Sequence, residues 1–229
     1  QAQQNVTTAK RFKLLEIGLG CNMPACVGGG YFLLDQYLPN VEYYSFEFNF
    51  DLCERRFHKG RLPWKPGQLD ALRRKACFGS SENVTALREC ADRFGPFDVI
   101  IDDASHQARH VITAFGHMFR RDEFLKPGGL YFVEDLQASF LGGYSTPKQS
   151  FLQYLEAMFD SGRRSQFLAD YKSLSRGEQP SADFRASDFV TCGPEMCVAQ
   201  KSGGEGASLA LFAPTTPYRA VLEDAARLR

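Results

Sequence analysis

Short apolar runs alternate with amphipathic segments through the first two thirds of the chain. Five runs have the length and the β-branched or aromatic composition of buried strands, at residues 12–17, 41–46, 76–78, 97–101 and 130–133. Between the runs, apolar residues recur at helical spacing, most clearly in a stripe formed by Val111, Ile112, Phe115, Met118 and Phe119. This alternation predicts an α/β fold in which a parallel sheet is covered by helices on both faces.

The end of the chain carries a different pattern. Residues 189–199 hold two short β-prone runs separated by a Gly-Pro turn, which predicts an antiparallel hairpin at one edge of the sheet. The expected fold is therefore a doubly wound, mostly parallel sheet of seven strands. Residues 1–11 form a polar leader, and residues 162–186 lack a regular pattern. The length favours a single domain over residues 1–229.

Two irregular segments interrupt the alternation. Residues 61–75 contain two prolines and a glycine, and residues 136–147 contain two glycines together with Phe140 and Tyr144. Because proline and glycine break regular structure, we expect both segments to form loops near the site. The two aromatic side chains, with Trp64 in the first segment, are candidates for stacking on a ring-shaped substrate.

Acidic side chains follow the predicted fourth and fifth strands. The fourth strand ends in Asp102 and Asp103, with His106 three residues later, and the fifth ends in Glu134 and Asp135. Adjacent parallel strands lie about 4.8 Å apart, so carboxylates just past two neighbouring strands can share one cation. Asp103, Glu134 and Asp135 offer the oxygen ligands that Mg²⁺ or Mn²⁺ prefers. His106 lies within reach as a general base, although each residue alone could equally form a helix cap or a turn.

A glycine turn follows the first predicted strand. Glu16 lies near the end of that strand, and Gly18 and Gly20 free the backbone to turn and approach a ligand. The second strand closes on Glu47, where a carboxylate can accept hydrogen bonds from both hydroxyls of a ribose. The full G-x-G-x-x-G fingerprint is absent, so an adenosyl ligand without phosphates suits the turn better than a dinucleotide. A tight turn without any ligand explains the two glycines equally well.

Three histidines, His106, His110 and His117, fall on one face of the helix predicted between the fourth and fifth strands. His117 lies roughly 16 Å from His106 along the helix axis at 1.5 Å rise per residue, too far to share an ion, which argues against a zinc site. We therefore expect His110 and His117 to be ordinary surface or core histidines.

Composition disfavours two classes of partner. Lys and Arg together number 27, as do Asp and Glu, so no general basic field would attract nucleic acid. No apolar run in the sequence is long enough to predict a membrane-spanning helix.

Sequons and cysteines favour the secretory pathway, with the cytoplasm as the alternative. Asn-x-Thr sequons occur at Asn5 and Asn83, and seven cysteines are many for a reduced protein of this size. The chain also begins at Gln1 without a methionine, which suggests removal of an upstream segment. A lumenal or secreted location is the expectation, although a reduced protein can bury cysteines as small apolar residues.

Two cysteine pairs are candidate disulfides. Cys192 and Cys197 flank the hairpin turn, and Cys21 with Cys26 would close the loop after the first strand. Buried thiols are the alternative for both pairs. A structural zinc site is not expected, because no paired C-x-x-C spacing is present.

These motifs resemble those of class I S-adenosylmethionine-dependent methyltransferases, and more narrowly those of metal-dependent macrolide sugar O-methyltransferases. The match runs from about residue 12 to about residue 140, and its specific part is the D-D-x-S-H segment at 102–106 with the V-E-D segment at 133–135. The resemblance implies a Rossmann-like fold, Asp103, Glu134 and Asp135 as Mg²⁺ ligands, His106 as base, and Glu16, Gly18, Gly20 and Glu47 as S-adenosylmethionine contacts. Asp102 is expected to be structural or to face the cofactor.

The sequence also departs from the family pattern. A Cys-Asn-Met-Pro-Ala-Cys segment replaces the usual loop at residues 21–26, and Glu47 stands where aspartate is commoner. Residues 79–81 lack the acid that often follows the third strand. These departures concern the adenosine contacts more than the metal ligands.

The expected function is Mg²⁺-assisted methyl transfer from S-adenosylmethionine to a hydroxyl of a sugar, glycan or other small molecule. One alternative is a secreted or lumenal binding protein that keeps the fold without catalysis. Another is a nicotinamide-dependent oxidoreductase, which would leave Asp103, Glu134 and Asp135 unused. The family resemblance also suggests a homo-oligomer.

Overall fold

Strands and helices alternate along the chain as the hydrophobic pattern predicts. A computed structural model describes residues 11–23, 25–38, 40–57, 59, 62, 64–145, 149–159 and 189–203. Its strands are β1 (Phe12–Ile17), β2 (Val41–Glu47), β3 (Ala76–Phe78), β4 (Phe97–Asp102), β5 (Leu125–Val133), β6 (Phe189–Cys192) and β7 (Cys197–Gln200). Its helices are α1 (Gly29–Tyr37), α2 (Phe50–Phe57), α3 (Gln68–Arg74), α4 (Val84–Phe94), α5 (Ala108–Met118) and α6 (Phe151–Phe159), with a 3₁₀ helix at Leu136–Phe140.

The strands form one sheet in the order β3-β2-β1-β4-β5-β7-β6. The first five strands pair in parallel, whereas β7 runs antiparallel to both β5 and β6. This arrangement confirms the mostly parallel sheet and the hairpin at its edge. Strand order reverses between β1 and β4, and in sheets of this kind ligands bind beyond the carboxyl ends of the strands at such a point.

Aromatic packing joins α5 to the sheet. The predicted stripe of α5 is buried, and its central ring, Phe115, is 1% exposed. The Phe115 ring centroid lies 4.8 Å from that of Phe119, 5.0 Å from Tyr131 on β5 and 5.2 Å from Phe151 on α6. One side chain thus holds a helix, a central strand and a second helix together.

One local expectation is wrong in part, because the predicted loop at 61–75 ends in helix α3. Trp64, a candidate for stacking on a substrate, is partly buried and packs against the core, with its ring 5.7 Å from that of Tyr31 and 4.6 Å from that of Phe57. The N-cap of α5 is Gln107, whose backbone N–H donates to the Ser105 hydroxyl at 3.3 Å.

Three disulfides lie within the described residues, and one of them differs from expectation. Cys192–Cys197 closes the hairpin as predicted, and Cys77–Cys90 joins β3 to α4. The predicted Cys21–Cys26 pair is wrong: Cys21 bonds to Cys53 on α2, with 4.7 Å between their Cα atoms, and Cys26 is an exposed free thiol. The fold brings α2 against the loop after β1, a contact that sequence spacing does not reveal.

Several sequence features lie outside the described residues, namely the sequon at Asn5, most of the polar leader and the irregular segment at 162–186. The second sequon is described: the Asn83 side chain caps α4 by accepting a hydrogen bond from Ala86 N–H at 3.2 Å. None of the described helices is long and apolar enough to cross a membrane.

Replacing Phe115 with alanine should lower the free energy of unfolding by about 3 to 5 kcal/mol, because the cavity would border β5, α5 and α6 at once. Denaturant titration measures this change. The matched variant Phe140→Ala removes a ring that is 79% exposed, so it should stay within about 0.5 kcal/mol of wild type. Equal losses in the two variants would show that α5 does not depend on this packing.

Candidate active site

A cleft of about 520 Å³ opens beyond the carboxyl ends of β1, β2 and β4, where strand order reverses. Six of the nine predicted site residues line it: Gly18, Gly20, Glu47, Asp103, His106 and Asp135. The other three, Glu16, Asp102 and Glu134, are placed behind or beside its wall. The fold thus brings the glycine turn and the acidic strand ends to one cavity, as the strand pattern predicts.

Asp103, His106 and Asp135 form a compact cluster at one side of the cleft. His106 Nε2 lies 3.2 Å from Asp135 Oδ2 and 3.9 Å from Asp103 Oδ1. One potential ligand atom of each residue lies within 4.8 Å of those of the other two. Burial raises the pKa of Asp103 to about 6, and the negative charge of Asp135 adds to the effect. The two carboxylates of the cluster therefore repel each other.

His106 and Asp135 share an unusual backbone conformation. Their φ angles are 55° and 54°, and among the described residues they are the two non-glycine residues with positive φ. Left-handed conformations are unfavourable for residues with a Cβ and persist where the surrounding structure holds them, often at functional sites. Here they turn the two side chains toward each other. Gln137 Nε2 donates to Asp135 Oδ1 at 2.9 Å and helps to fix that carboxylate.

Glu134 lies beside this cluster and is not part of it. Glu134 and Asp135 both lie beyond the end of β5, and the left-handed backbone of Asp135, with a φ of 54°, turns its side chain toward His106. Burial raises the pKa of Glu134, the charges of Asp103 and Asp135 raise it further, and His106 opposes them. The structure thus brings Asp103 and Asp135 together with His106, with Glu134 close enough for its charge to interact with them, and the ligand set of Asp103, Glu134 and Asp135 stays a prediction.

Glu16 is buried beneath the glycine turn. The Tyr43 hydroxyl donates to its carboxylate, and a Cβ added at Gly30 would overlap the same carboxylate. Burial raises the pKa of Glu16 to about 7, with Asp103 and Glu134 contributing. Glu16 thus packs between β2 and the start of α1, and its direct contact with the cofactor stays a prediction.

Gly18 brings the first turn against the end of β4. Its φ is +99°, and a Cβ at this position would overlap the carbonyl oxygen of Asp103. Only glycine combines this conformation with so close an approach. The turn therefore reaches the residue that begins the acidic cluster.

Glu47 is oriented by the backbone at the end of β2. Its carboxylate accepts hydrogen bonds from Leu19 N–H at 3.0 Å and from Asn49 N–H at 2.9 Å. Because a carboxylate has about four acceptor positions, two remain for hydroxyls of a ligand in the cleft. This geometry fits the predicted ribose contact.

Asp102 lies in the core behind the cleft. It is 2% exposed, and the Tyr131 hydroxyl donates to it at 3.4 Å. Burial raises the pKa of Asp102 to about 7. Of the two roles expected for Asp102, this placement supports the structural one, since it is not among the side chains that line the cleft.

Sequence reasoning missed several residues of the cleft wall. His110, expected to be an ordinary histidine, lines the cleft together with Ser105. Phe48, Asn49 and Ser81 also line it, from the segments that follow β2 and β3. The available signal was positional, because residues just past a parallel strand lie at the ligand-binding edge whatever their type.

No family model matches the chain. Among curated proteins, 8-demethyl-8-alpha-L-rhamnosyl tetracenomycin-C 2'-O-methyltransferase from Streptomyces olivaceus is 31% identical over 199 residues, which are 84% of this chain and 46% of that protein. Mycinamicin VI 2''-O-methyltransferase from Micromonospora griseorubida is 27% identical over 168 residues, 70% of this chain and 38% of that protein. The chain spans about half or less of the length of these relatives.

Solved structures show the same fold. One is the MycE methyltransferase from the mycinamycin biosynthetic pathway in complex with Mg and SAH, which superposes with a TM-score of 0.57 and 21% sequence identity. The match covers 94% of this chain and 51% of the MycE chain. Its complex with Mg, SAH and mycinamycin VI matches with a TM-score of 0.58. The chain thus has the fold of class I S-adenosylmethionine-dependent methyltransferases. Within that class, its sequence is similar to sugar O-methyltransferases of tetracenomycin and macrolide biosynthesis.

Replacing Gly18 with alanine should lower the free energy of unfolding by at least about 1 kcal/mol, because the new Cβ meets the Asp103 carbonyl in a left-handed conformation. Gly29→Ala is the matched control, since a Cβ there meets nothing within 4 Å, and it should stay within about 1 kcal/mol of wild type. Thermal and denaturant unfolding both report the difference. A Gly18 variant as stable as the Gly29 variant would contradict the close approach of the two strand ends.

Proposed function

We propose that the chain catalyses methyl transfer from S-adenosylmethionine to a hydroxyl of a sugar carried by a small molecule, with Mg²⁺ at the Asp103 cluster. The observation that carries this proposal is that the glycine turn, Glu47 and the acidic cluster face one cleft. The curated relatives, which are sugar O-methyltransferases, support the reaction and the class of acceptor.

The donor set of the cluster suits Mg²⁺. This ion prefers oxygen ligands and is commonly held by one or two carboxylates, with waters or substrate oxygens completing its octahedron. Asp103 and Asp135 would supply those carboxylates, and the nearby Glu134 would add negative charge. Mn²⁺ accepts a similar ligand set. When bound, the ion would lower the pKa of an acceptor hydroxyl and help to orient it.

His106 is placed to remove the proton of the acceptor hydroxyl. A histidine can serve as a general base near neutral pH. Its Nε2 faces Asp135 at 3.2 Å, so this carboxylate would hold the proton on Nε2 and stabilise the imidazolium formed when Nδ1 takes the proton of the acceptor. The acceptor oxygen forms the new C–O bond as the C–S bond of the donor breaks on the opposite side of the methyl group.

The donor would lie along the strand ends. Glu47 has acceptor capacity for both ribose hydroxyls, and the turn through Gly18 and Gly20 leaves the backbone open to the amino-acid portion. Holding the methyl group in line with the acceptor oxygen supplies much of the expected acceleration, since orientation removes an entropic barrier.

The segment that follows Asp135 would contact the acceptor, and it carries exposed aromatic side chains. Phe140 is 79% exposed and Tyr144 is 40% exposed, in the segment that follows Asp135. Ala108 N–H donates to the Tyr144 carbonyl at 2.9 Å, which holds this segment over the start of α5, two residues after His106. Aromatic side chains in this position suit a sugar ring or the apolar body of a glycosylated molecule.

Replacing His106 with glutamine should lower turnover by about 100-fold or more, since the base is lost while the hydrogen-bonding volume is kept. The affinity of the His106→Gln variant for S-adenosylhomocysteine should stay within about twofold of wild type, because the donor would be held mainly by Glu47 and the glycine turn. Calorimetry measures the affinity, and methyl transfer to mycinamicin VI or to rhamnosyl tetracenomycin in the presence of Mg²⁺ measures turnover. Chelation with EDTA should abolish turnover in the wild type.

Two outcomes would contradict the proposal. Wild-type protein that does not bind S-adenosylhomocysteine, with or without Mg²⁺, would favour a binding protein that keeps the fold without catalysis. Unchanged turnover in His106→Gln would remove that residue from the reaction.

We also propose that the chain matures in an oxidising compartment, as the three disulfides and the sequons suggest. A thiol-alkylating reagent should then modify one cysteine, Cys26, in protein that is isolated and unfolded in denaturant without reductant. All seven cysteines should react after reduction and unfolding. Mass spectrometry of the alkylated protein gives both counts, and seven modified cysteines before reduction would favour the cytoplasm.

A further inference from the structure

Two cysteines and a carboxylate meet at the donor side of the cleft. Cys21 follows the glycine turn, Cys53 lies on α2, and Glu47 ends β2. One potential ligand atom of each residue lies within 4.8 Å of those of the other two, and all three residues are buried. The sequence did not indicate this group, because 32 residues separate the two cysteines. The mechanism proposed above uses Glu47 to hold the donor and gives the cysteines no chemical role.

This group has the ligands of a zinc site once its disulfide is reduced. Zn²⁺ accepts thiolates and carboxylates in a tetrahedral arrangement, whereas Mg²⁺ disfavours sulfur. Zinc bonds of the usual lengths place the ligand atoms about 3.6 to 3.8 Å apart, within the separations that the fold allows here. The two sulfurs must move apart from their bonded distance. Rotation about the Cα–Cβ bonds of Cys21 and Cys53, whose Cα atoms lie 4.7 Å apart, permits this movement.

The backbone that carries the three ligands is held by contacts other than the disulfide. Arg56 on α2 donates from Nη1 to the Cys21 carbonyl at 2.6 Å. The Glu47 carboxylate accepts from Leu19 N–H at 3.0 Å, two residues before Cys21. Cys53 packs in the same apolar cluster as Leu19 and Cys21. Reduction should therefore break the covalent bond and leave the three ligands close together.

The fourth position of a zinc ion at this place would face the cleft. Cys21 and Glu47 line the cleft, whereas Cys53 is fully buried behind them. A water molecule would complete the tetrahedron from the cleft side, as in zinc sites with three protein ligands. Two thiolates and a carboxylate carry one negative charge more than Zn²⁺ neutralises. The guanidinium of Arg56, which contacts the Cys21 carbonyl, lies beside the site and offsets this charge.

We propose that Cys21, Cys53 and Glu47 bind Zn²⁺ when the Cys21–Cys53 disulfide is reduced, and that the ion then occupies the carboxylate that would otherwise hold the donor. In the reduction, a dithiol passes two electrons and two protons to the sulfurs and becomes a disulfide itself. Zinc binding then releases the two thiol protons to water and leaves two thiolate ligands. The competition with the donor rests on the proposed function, whereas zinc binding does not.

Titration of the full chain with Co²⁺ and then with Zn²⁺ tests the site. A phosphine reductant cleaves the disulfides without adding a thiol that would compete for the metal; water supplies the two protons, and its oxygen passes to the phosphine. Co²⁺ bound by thiolates absorbs in the near ultraviolet through charge transfer from sulfur, which Co²⁺ at the Asp103 cluster cannot show. Reduced protein should show this band and lose it when Zn²⁺ is added, and oxidised protein should lack it.

Variants separate this site from the other cysteines. Cys53→Ser should lower the affinity of reduced protein for Zn²⁺ by about 100-fold or more, because a direct ligand is lost. Glu47→Gln should lower this affinity by about tenfold or more, since an amide is a weaker ligand than a carboxylate. Cys192→Ser is the matched control, because it removes a cysteine of the hairpin disulfide, and it should keep the wild-type affinity.

Calorimetry with S-adenosylhomocysteine measures the competition with the donor. At a free Zn²⁺ concentration about ten times its dissociation constant, the apparent affinity of reduced wild type for this ligand should fall about tenfold. The oxidised protein should keep its affinity under the same conditions, because its sulfurs are bonded to each other.

The outcomes separate this inference from the proposed function. Reduced wild type without the sulfur-to-cobalt band, or Zn²⁺ affinity that is unchanged in Cys53→Ser, overturns the zinc site. Should Cys53→Ser fail to fold, Glu47→Gln decides, because it keeps every cysteine, and unchanged affinity there has the same meaning. Zinc binding that leaves the affinity for S-adenosylhomocysteine unchanged overturns the competition. Protein that binds Zn²⁺ as expected but never binds S-adenosylhomocysteine supports the zinc site and contradicts the proposed function alone.

Discussion

The site depends on a set of backbone hydrogen bonds that continue past the ends of the strands. Gly18 N–H donates to the Phe46 carbonyl at 2.9 Å, Asp103 N–H to the Ile17 carbonyl at 2.9 Å, and Glu134 N–H to the Asp102 carbonyl at 3.0 Å. Each bond joins the first residue beyond one strand to the last part of its neighbour, so the ends of β2, β1, β4 and β5 are held level. The glycine turn, the acids and Glu47 are consequently fixed relative to one another by the sheet itself, before any ligand binds.

These backbone hydrogen bonds help to explain which parts of the molecule could be predicted from the sequence. The apolar stripe of α5 was predictable, because helical spacing of apolar residues is a local signal. The shared cavity of Gly18 and Asp103 was also predictable, since parallel strands place their carboxyl ends at one edge. The Cys21–Cys53 bond and the packing of Trp64 were not predictable, because they depend on how α2 and the loop before α3 fold back over β1.

The cluster of Asp103, His106 and Asp135 shows a second limit to what can be predicted from the sequence. From the sequence, Glu134 and Asp135 are equivalent carboxylates after one strand. The structure separates them, because Asp135 adopts a left-handed conformation that turns it toward His106. The surrounding packing determines a backbone angle of this kind, and the residue type alone does not predict it.

The electrostatics of the site are consistent with a cation. Burial raises the pKa values of Glu16, Asp102 and Asp103 to about 7, 7 and 6, and their mutual repulsion contributes. A carboxyl group with a raised pKa in the folded state stabilises the fold fully below its unfolded pKa, and this contribution is lost as pH rises through the folded value. Near neutral pH, the metal-free site therefore opposes folding, and a divalent ion beside Asp103 would offset that repulsion.

The two sides of the cleft are built with different rigidity. On the donor side, the turn after β1 is tied to α2 by the Cys21–Cys53 bond and by Arg56, whose Nη1 donates to the Cys21 carbonyl at 2.6 Å. On the acceptor side, Phe140 and Tyr144 are exposed on a segment that leaves the sheet after Asp135. Side chains that the core holds are in place before a ligand binds, whereas exposed side chains take their final positions when a ligand covers them. In the proposed function, the methyl donor would therefore be bound by the sheet and its disulfide-tied turn, and the acceptor by a segment that lies outside the sheet.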